Sequence, residues 1–404
     1  MKILNGQVLN QDFVFVPLDV DITSDRISGL DQRTAGEKTA PVTGAQIDHS
    51  GLSGDTINAT GCLVIPGLVD IHIHACAGHD FCDADADGIA VMASHLARQG
   101  VTSFLGTSMA LGEERLARIF QVGQEIILTG LPDGAQMRGI HMEGPFFAVE
   151  KKGAQAAEFI IDPDVELYQR LEQAAGQQIR IIDVAPDRPG ALELTRYAAP
   201  HTTVSIAHTM ANYEQASAAF AAGASHVTHL FNAMPPFGHR DPGVVGAASD
   251  AGATVELICD GVHLHPSVVR SVFKWFGSDK VVLVSDAMRA CGLADGSYDL
   301  GGQTVHVNGS HATLADGTLA GSVTDLMQCL RNAVAFGVPV EAAVRAATAN
   351  PARVARIDDQ VGSLEIGKKA DLLVITPEWE LKAVVIGGQV IKLAPDQSQK
   401  KETL

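Results

Sequence analysis

Between residues 68 and 286 the chain repeats one rhythm: a short β-branched apolar run, a polar turn, then an amphipathic stretch of helical period. The apolar runs are LVDIHIH (68–74), VTSFLGT (101–107), RGIHMEG (138–144), IRIIDVA (179–185), TTVSIAH (202–208), ASHVTHL (224–230), TVELICD (254–260) and VVLVSDA (281–287). Between them lie segments such as DGIAVMASHLARQG (87–100) and NYEQASAAFAAG (212–223). The latter closes on Gly223, the residue type that caps a helix most readily because it accepts a left-handed backbone. Strands joined through helices pair in parallel, and eight such units close on themselves. The pattern therefore predicts an α/β fold, a (β/α)8 TIM-type barrel.

The flanks follow a different period. Residues 1–65 are rich in strands and turns, with Gly, Asp, Ser and Thr through 21–56, and from residue 361 onward short alternating strands return. Both ends are expected to form one small β-sandwich domain, 1–65 plus 361–404, with the barrel domain, 66–360, inserted between them. The polar tail DQSQKKETL is expected to fray.

Functional side chains of such a barrel belong at the C-terminal ends of its strands, and polar residues interrupt the apolar runs there. His72 and His74 end the first run, Glu143 the third, His208 the fifth, His229 the sixth and Asp286 the eighth. His72-x-His74 puts two imidazoles on one strand face, because strand side chains repeat every two residues. Such a pair suits a divalent cation; the alternative is two hydrogen-bonded core histidines. Glu143, in HMEGPFF, could instead cap a helix, and His208 and His229 could be satisfied core residues. His226 competes with His229: the two have opposite parity, and sequence alone leaves open which turns inward. Asp286, in VVLVSDAM, is a poor residue to bury unless it is paired or catalytic.

Two other signals are weaker. Asp83-x-Asp85-x-Asp87-Gly88 opens like a calcium loop, but Ser94 stands where a bidentate Glu is required, so the acids read as a helix start. Cys76 and Cys82 lie near the histidine pair and could supply a thiolate ligand.

The net charge of −18 leaves no extended basic face for nucleic acid or an anionic membrane, so neither is an expected partner. No apolar run approaches the roughly 20 residues of a membrane span, and no signal segment is visible at the start. Six scattered cysteines without a CxxC read as reduced, mostly buried thiols, and the expected location is cytoplasmic.

These residues, in this order, resemble the amidohydrolase superfamily and, within it, the family of N-acetylglucosamine-6-phosphate deacetylases. The likeness runs through PGLVDIHIH, HMEGPFF…KKGAQ, AHTMANY, HLFNAMPPFGHRDPG, ICDGVHLHP, LVSDAMRACGLADGSYDLGG, DGTLAGS and GSLEIGKKADLLV. The resemblance implies hydrolysis of the N-acetyl group of N-acetyl-D-glucosamine 6-phosphate to glucosamine 6-phosphate and acetate, and makes Glu143, His208 and His229 the main metal ligands. His72 and His74 imply a second ion bridged by Glu143, and IRIIDVA lacks the bridging lysine of some related barrels. The cofactor is then one or two divalent ions, Zn2+ or Fe2+ first, with Mn2+ or Co2+ as alternatives.

The same resemblance implies that Asp286 is the acid/base. It places substrate contacts on Ala154, Gln155, Asn232, Ala233, Arg240, His263, Leu319, Ala320 and Gly321. Many family members carry a histidine where this chain has Gln155, which can donate a hydrogen bond but cannot become cationic. The implied partners are a small sugar phosphate and a second copy of the chain, a homodimer in which Arg240 reaches the neighbouring subunit. Alternatives on the same barrel are an N-acetylgalactosamine-6-phosphate deacetylase, a D-aminoacylase or an adenine deaminase. From another class, the alternative is an inactive barrel that only binds.

Overall fold

The computed structural model describes residues 1–32 and 56–391. The tail 396–404 and most of the turn-rich stretch before residue 56 lie outside the described residues. At the centre, eight parallel strands are hydrogen-bonded in chain order: Leu68–Ile73, Val101–Thr107, Gln136–Met142, Ile179–Val184, Thr203–Ile206, His226–Val227, Thr254–Ile258 and Val281–Val284. They follow the apolar runs of the sequence. The seam between the eighth and first strands closes just beyond them, where Asp286 N–H donates to the His72 carbonyl and His74 N–H to that of Ala287. Helices separate the strands, among them Ala86–Arg98, Glu113–Thr129, Tyr213–Ala222 and Pro266–Phe276. Asp85 caps the first of these by accepting from Asp87 N–H, and Asp83 pairs with Arg289, which accounts for the acidic run without calcium.

The chain ends share one eight-stranded sheet. Its order runs Gln389–Ile391, Leu381–Ile386, Leu372–Ile375, Leu63–Pro66, Lys2–Leu9, Phe15–Thr23 and Arg26–Gln32, with Thr56–Asn58 alongside Lys2–Leu9. Alternation divides its side chains between two cores. Val64, Leu372, Val374 and Val385 pack with Ile3, Val20 and Ile27 in the sheet's own core, whereas Ile65, Leu373, Ile375 and Val384 pack into that of the barrel.

Two features depart from a plain eightfold repeat. The sixth strand keeps only two ladder residues of the seven-residue run ASHVTHL. After the eighth strand, a three-stranded antiparallel flap (Gly296–Leu300, Gln303–Asn308 and His311–Thr313) precedes the last barrel helix, Leu326–Ala335. The strands also carry fully buried polar residues, including Asp70, His141, Asp183, Ser205, His226 and Glu256. Such groups are costly unless paired, and most of them meet beneath the site.

Candidate active site

The strand ends bring together His72, His74, Glu143, His208, His229 and Asp286. His208, His229 and Asp286 each lie two residues past a ladder, with φ of 43°, 30° and 47°. Left-handed backbone is strained for a side chain with a Cβ and persists only where the surroundings enforce it. The turn stops each ladder, which explains the shortened sixth strand.

Hydrogen bonding fixes which ring nitrogens are free. His72 Nδ1 lies 2.9 Å from the Glu256 carboxylate, which can only accept, so Nδ1 carries a proton. His208 Nδ1–H donates likewise to the Lys151 carbonyl at 2.7 Å, and His74 Nδ1–H to that of Thr107 at 3.3 Å. In the neutral ring each Nε2 then holds a lone pair. The Nε2 atoms of His208 and His229 stand 3.1 Å apart, and 3.1 and 3.3 Å from Glu143 Oε1. His74 Nε2 is 3.3 Å from Glu143 Oε2 and from Asp286 Oδ1. His72 Nε2 is 3.6 Å from Glu143 Oε1 and has no hydrogen-bond partner among the described residues.

Acceptors converging in this way repel one another unless positive charge lies between them. Nitrogen and oxygen ligands of a tetrahedral cation at about 2.0–2.1 Å sit about 3.3 Å from each other, so this donor set fits a divalent ion. Two groups sharing Glu143, with His72 and His74 on one side and His208 and His229 on the other, could each hold one.

Charge balance agrees. Burial would lower the His72 and His74 imidazoles, but the surrounding carboxylates, Glu256 foremost for His72 and Asp286 for His74, override it and raise both. Burial would likewise raise Glu143 and Asp286. The histidines hold both carboxyls below their usual range, Glu143 well below it. Carboxylates so placed favour positive charge among them, which a bound cation would supply.

Above these groups opens a cavity of about 500 Å3. Of the expected substrate contacts, Ala154, Gln155, Asn232, Ala233, His263, Leu319 and Gly321 line it. Ala320 is fully buried and does not reach it, and Arg240, exposed and contacting His239 at 2.8 Å, does not line its own chain's cavity. Gln155 spans two groups: its Nε2 donates to Glu143 Oε2 at 2.8 Å, and its Oε1 accepts from Ala110 N–H at 2.7 Å. Lys151, Lys152 and Asp316 also line the cavity.

The structure resolves the parity question. His229 faces Glu143, while His226 Nε2 bonds Glu256 at 3.2 Å in a layer below. Glu256 escaped the sequence reading although an acid inside the apolar run TVELI was its signal. Cys76 and Cys82 take no part in these ligand groups, and burial pushes both thiols well above their usual range, which makes poor thiolate ligands.

The amidohydrolase family model matches residues 63–391, which spans the barrel and the adjoining strands of the terminal sheet. The chain belongs to the amidohydrolase family. It is similar to the N-acetylglucosamine-6-phosphate deacetylase of Bacillus subtilis, 38% identical over 83% of this chain and 86% of that protein. It is 34% identical to the N-acetylgalactosamine-6-phosphate deacetylase of Escherichia coli O157:H7, over 81% of this chain and 87% of the relative. Among solved structures, a variant N-acetyl-D-glucosamine-6-phosphate deacetylase from Mycobacterium smegmatis, in complex with N-acetyl-D-glucosamine-6-phosphate, superposes with a TM-score of 0.85. It is 31% identical and covers 97% of this chain and 99% of that one. Members of this family depend on a metal, and this chain carries the histidine and glutamate groups to hold one. Among the described residues no helix is long and apolar enough to cross a membrane.

Proposed function

We propose that the chain hydrolyses the N-acetyl group of N-acetyl-D-glucosamine 6-phosphate, releasing acetate and glucosamine 6-phosphate. The observation that carries this is Glu143 standing between two imidazole pairs at ligand spacing, at the floor of a cavity sized for a sugar phosphate. His208, His229 and Glu143 would hold one cation and His72, His74 and Glu143 a second. Zn2+ or Fe2+ are the leading choices, and Mn2+ or Co2+ are chemically acceptable to the same ligands. When bound, a divalent ion polarises the amide carbonyl and makes hydroxide available near neutral pH.

The remaining steps belong to side chains. Asp286, ionised in its histidine surroundings, takes the proton of the attacking water and returns it to the departing amine. Gln155 keeps Glu143 in place with one N–H, leaving the other for the acetyl oxygen. His263 and the backbone around Asn232 and Leu319–Gly321 would orient the sugar, with Lys151 and Lys152 adding positive charge at the mouth.

We assign Arg240 to the phosphate of a neighbouring subunit's substrate. It lies outside its own cavity, three residues along the chain from Phe237, which forms an exposed aromatic pair with Trp275, ring centroids 5.7 Å apart. An apolar patch of that kind suits a homodimer interface. Six free, buried thiols fit a reducing, cytoplasmic setting.

The test is acetate release from purified enzyme, before and after chelation and metal return. The substrates are the 6-phosphates of N-acetylglucosamine and N-acetylgalactosamine and unphosphorylated N-acetylglucosamine. Activity confined to the galactosamine epimer would favour the second relative's reaction, and no metal-dependent acetate release from any of the three would refute the reading.

A further inference from the structure

Glu256 is fully buried in the seventh barrel strand and its carboxylate accepts three hydrogen bonds. Oε2 takes His72 Nδ1–H at 2.9 Å and the backbone N–H of His229 at 3.0 Å. Oε1 takes His226 Nε2–H at 3.2 Å, and the Thr254 hydroxyl stands 2.7 Å from that ring's other nitrogen. One oxygen atom therefore touches both halves of the site. On one side it holds the proton on His72 Nδ1, which leaves Nε2 as a lone pair facing Glu143. On the other it grips the peptide of His229, whose φ of 30° needs support from its surroundings.

We propose that Glu256 is a positioning residue that sets the His72 tautomer and the His229 backbone together, so that the two metal sub-sites form as one unit. This rests on the metal-centre reading given above. A carboxylate behind a ligating imidazole fixes its orientation and raises its basicity, and removing such a partner costs about 10–100-fold in metal affinity. Glu256 goes further than that pattern because the same oxygen also restrains a second ligand. Loss of its charge is therefore expected to weaken both ions and not the His72 sub-site alone.

Glu256→Gln retains the volume and removes the charge. In chelator competition with Zn2+ and with Co2+, wild type should bind about 10–100-fold more tightly than the variant at both sub-sites. The visible spectrum of the Co2+ form should change as well, which a purely structural contact would leave alone. A second measurement needs no variant of Glu256. In zinc-loaded wild type labelled with 15N-histidine, His72 should show an Nδ1-attached proton in slow solvent exchange, assigned by its loss in His72→Gln. If Glu256→Gln fails to fold, this measurement alone decides.

Affinities within twofold of wild type with an unchanged Co2+ spectrum, or a fast-exchanging His72 Nδ1 proton in wild type, would overturn the proposal. Weakening of one ion only would overturn the coupling of the sub-sites. A wild type that takes up no divalent ion would overturn the metal-centre reading and this proposal with it.

Discussion

Gln155→Ala separates two jobs that one side chain is positioned to do. Gln155 is 3% exposed and its amide bridges Glu143 Oε2 and Ala110 N–H at 2.8 and 2.7 Å. Truncation removes a hydrogen bond to an ionised carboxylate, worth about 1.5–3 kcal/mol. It also strips Ala110 N–H of its acceptor, but the residue borders an open polar cavity, so water can enter and replace that bond. The larger part of the loss therefore falls on Glu143. If Glu143 is the shared metal ligand, a cost of 1.5–3 kcal/mol corresponds to about 10–150-fold in metal affinity or in turnover.

Chelator competition, acetate-release kinetics and thermal melting of the same preparations distinguish the contributions. The expected pattern is weaker metal binding, lower kcat at matched metal loading and a small change in Tm. A rise in KM with unchanged kcat and metal affinity would instead mean that Gln155 only binds substrate, because uniform binding is lost without cost to the chemical step. Metal affinity and turnover both within twofold of wild type would refute the bridging role.

Other substitutions address the remaining assignments. Asp286→Asn should retain metal and fold but lower kcat by about 10²–10⁴-fold, and near-normal turnover would remove Asp286 from proton transfer. His72→Ala combined with His74→Ala should lower the ion count by elemental analysis while Glu143, His208 and His229 keep theirs; an unchanged count would make the pair structural. Arg240→Ala should cost about 1.5–3 kcal/mol in kcat/KM on the phosphorylated sugar and little on the unphosphorylated one. Mixing Arg240→Ala with Asp286→Asn subunits should restore some activity if Arg240 works across a dimer, and equal losses on both sugars would reduce it to a loop residue.

The barrel was legible because each strand is a compact apolar run with a polar terminus, and runs such as VVLV and TTVSI have no comparable helical reading. His72 and His74 were legible as a pair because strand parity alone puts them on one face. Parity failed at His226 and His229. The left-handed turn at His229 breaks the strand period two residues past Val227; histidine is enriched in this backbone relative to most residues, but the conformation stays uncommon even for it, so its presence in ASHVTHL does not announce the turn. Glu256 was passed over because its partners come from the first and sixth strands, and such pairing is set by barrel closure. The flap over 296–313 is only partly legible: its middle strand, QTVHVN, alternates regularly in burial, whereas the edge strand GSYDL stays mostly exposed and carries no clear period.

The shared terminal sheet has a consequence for synthesis. Pro66 in the strand that leads into the barrel pairs with Leu372, across nearly the whole catalytic unit. At about 5–20 residues per second, the ribosome needs on the order of tens of seconds to supply that partner after the first strands emerge. During this interval the edge of Leu63–Pro66 is unpaired, and Ile65 and Val64 lack the residues that later cover them. An apolar strand edge waiting in this state is a template for pairing with another chain. Recovery of soluble protein should therefore depend on elongation rate and nascent-chain crowding, even for variants whose finished fold is as stable as wild type.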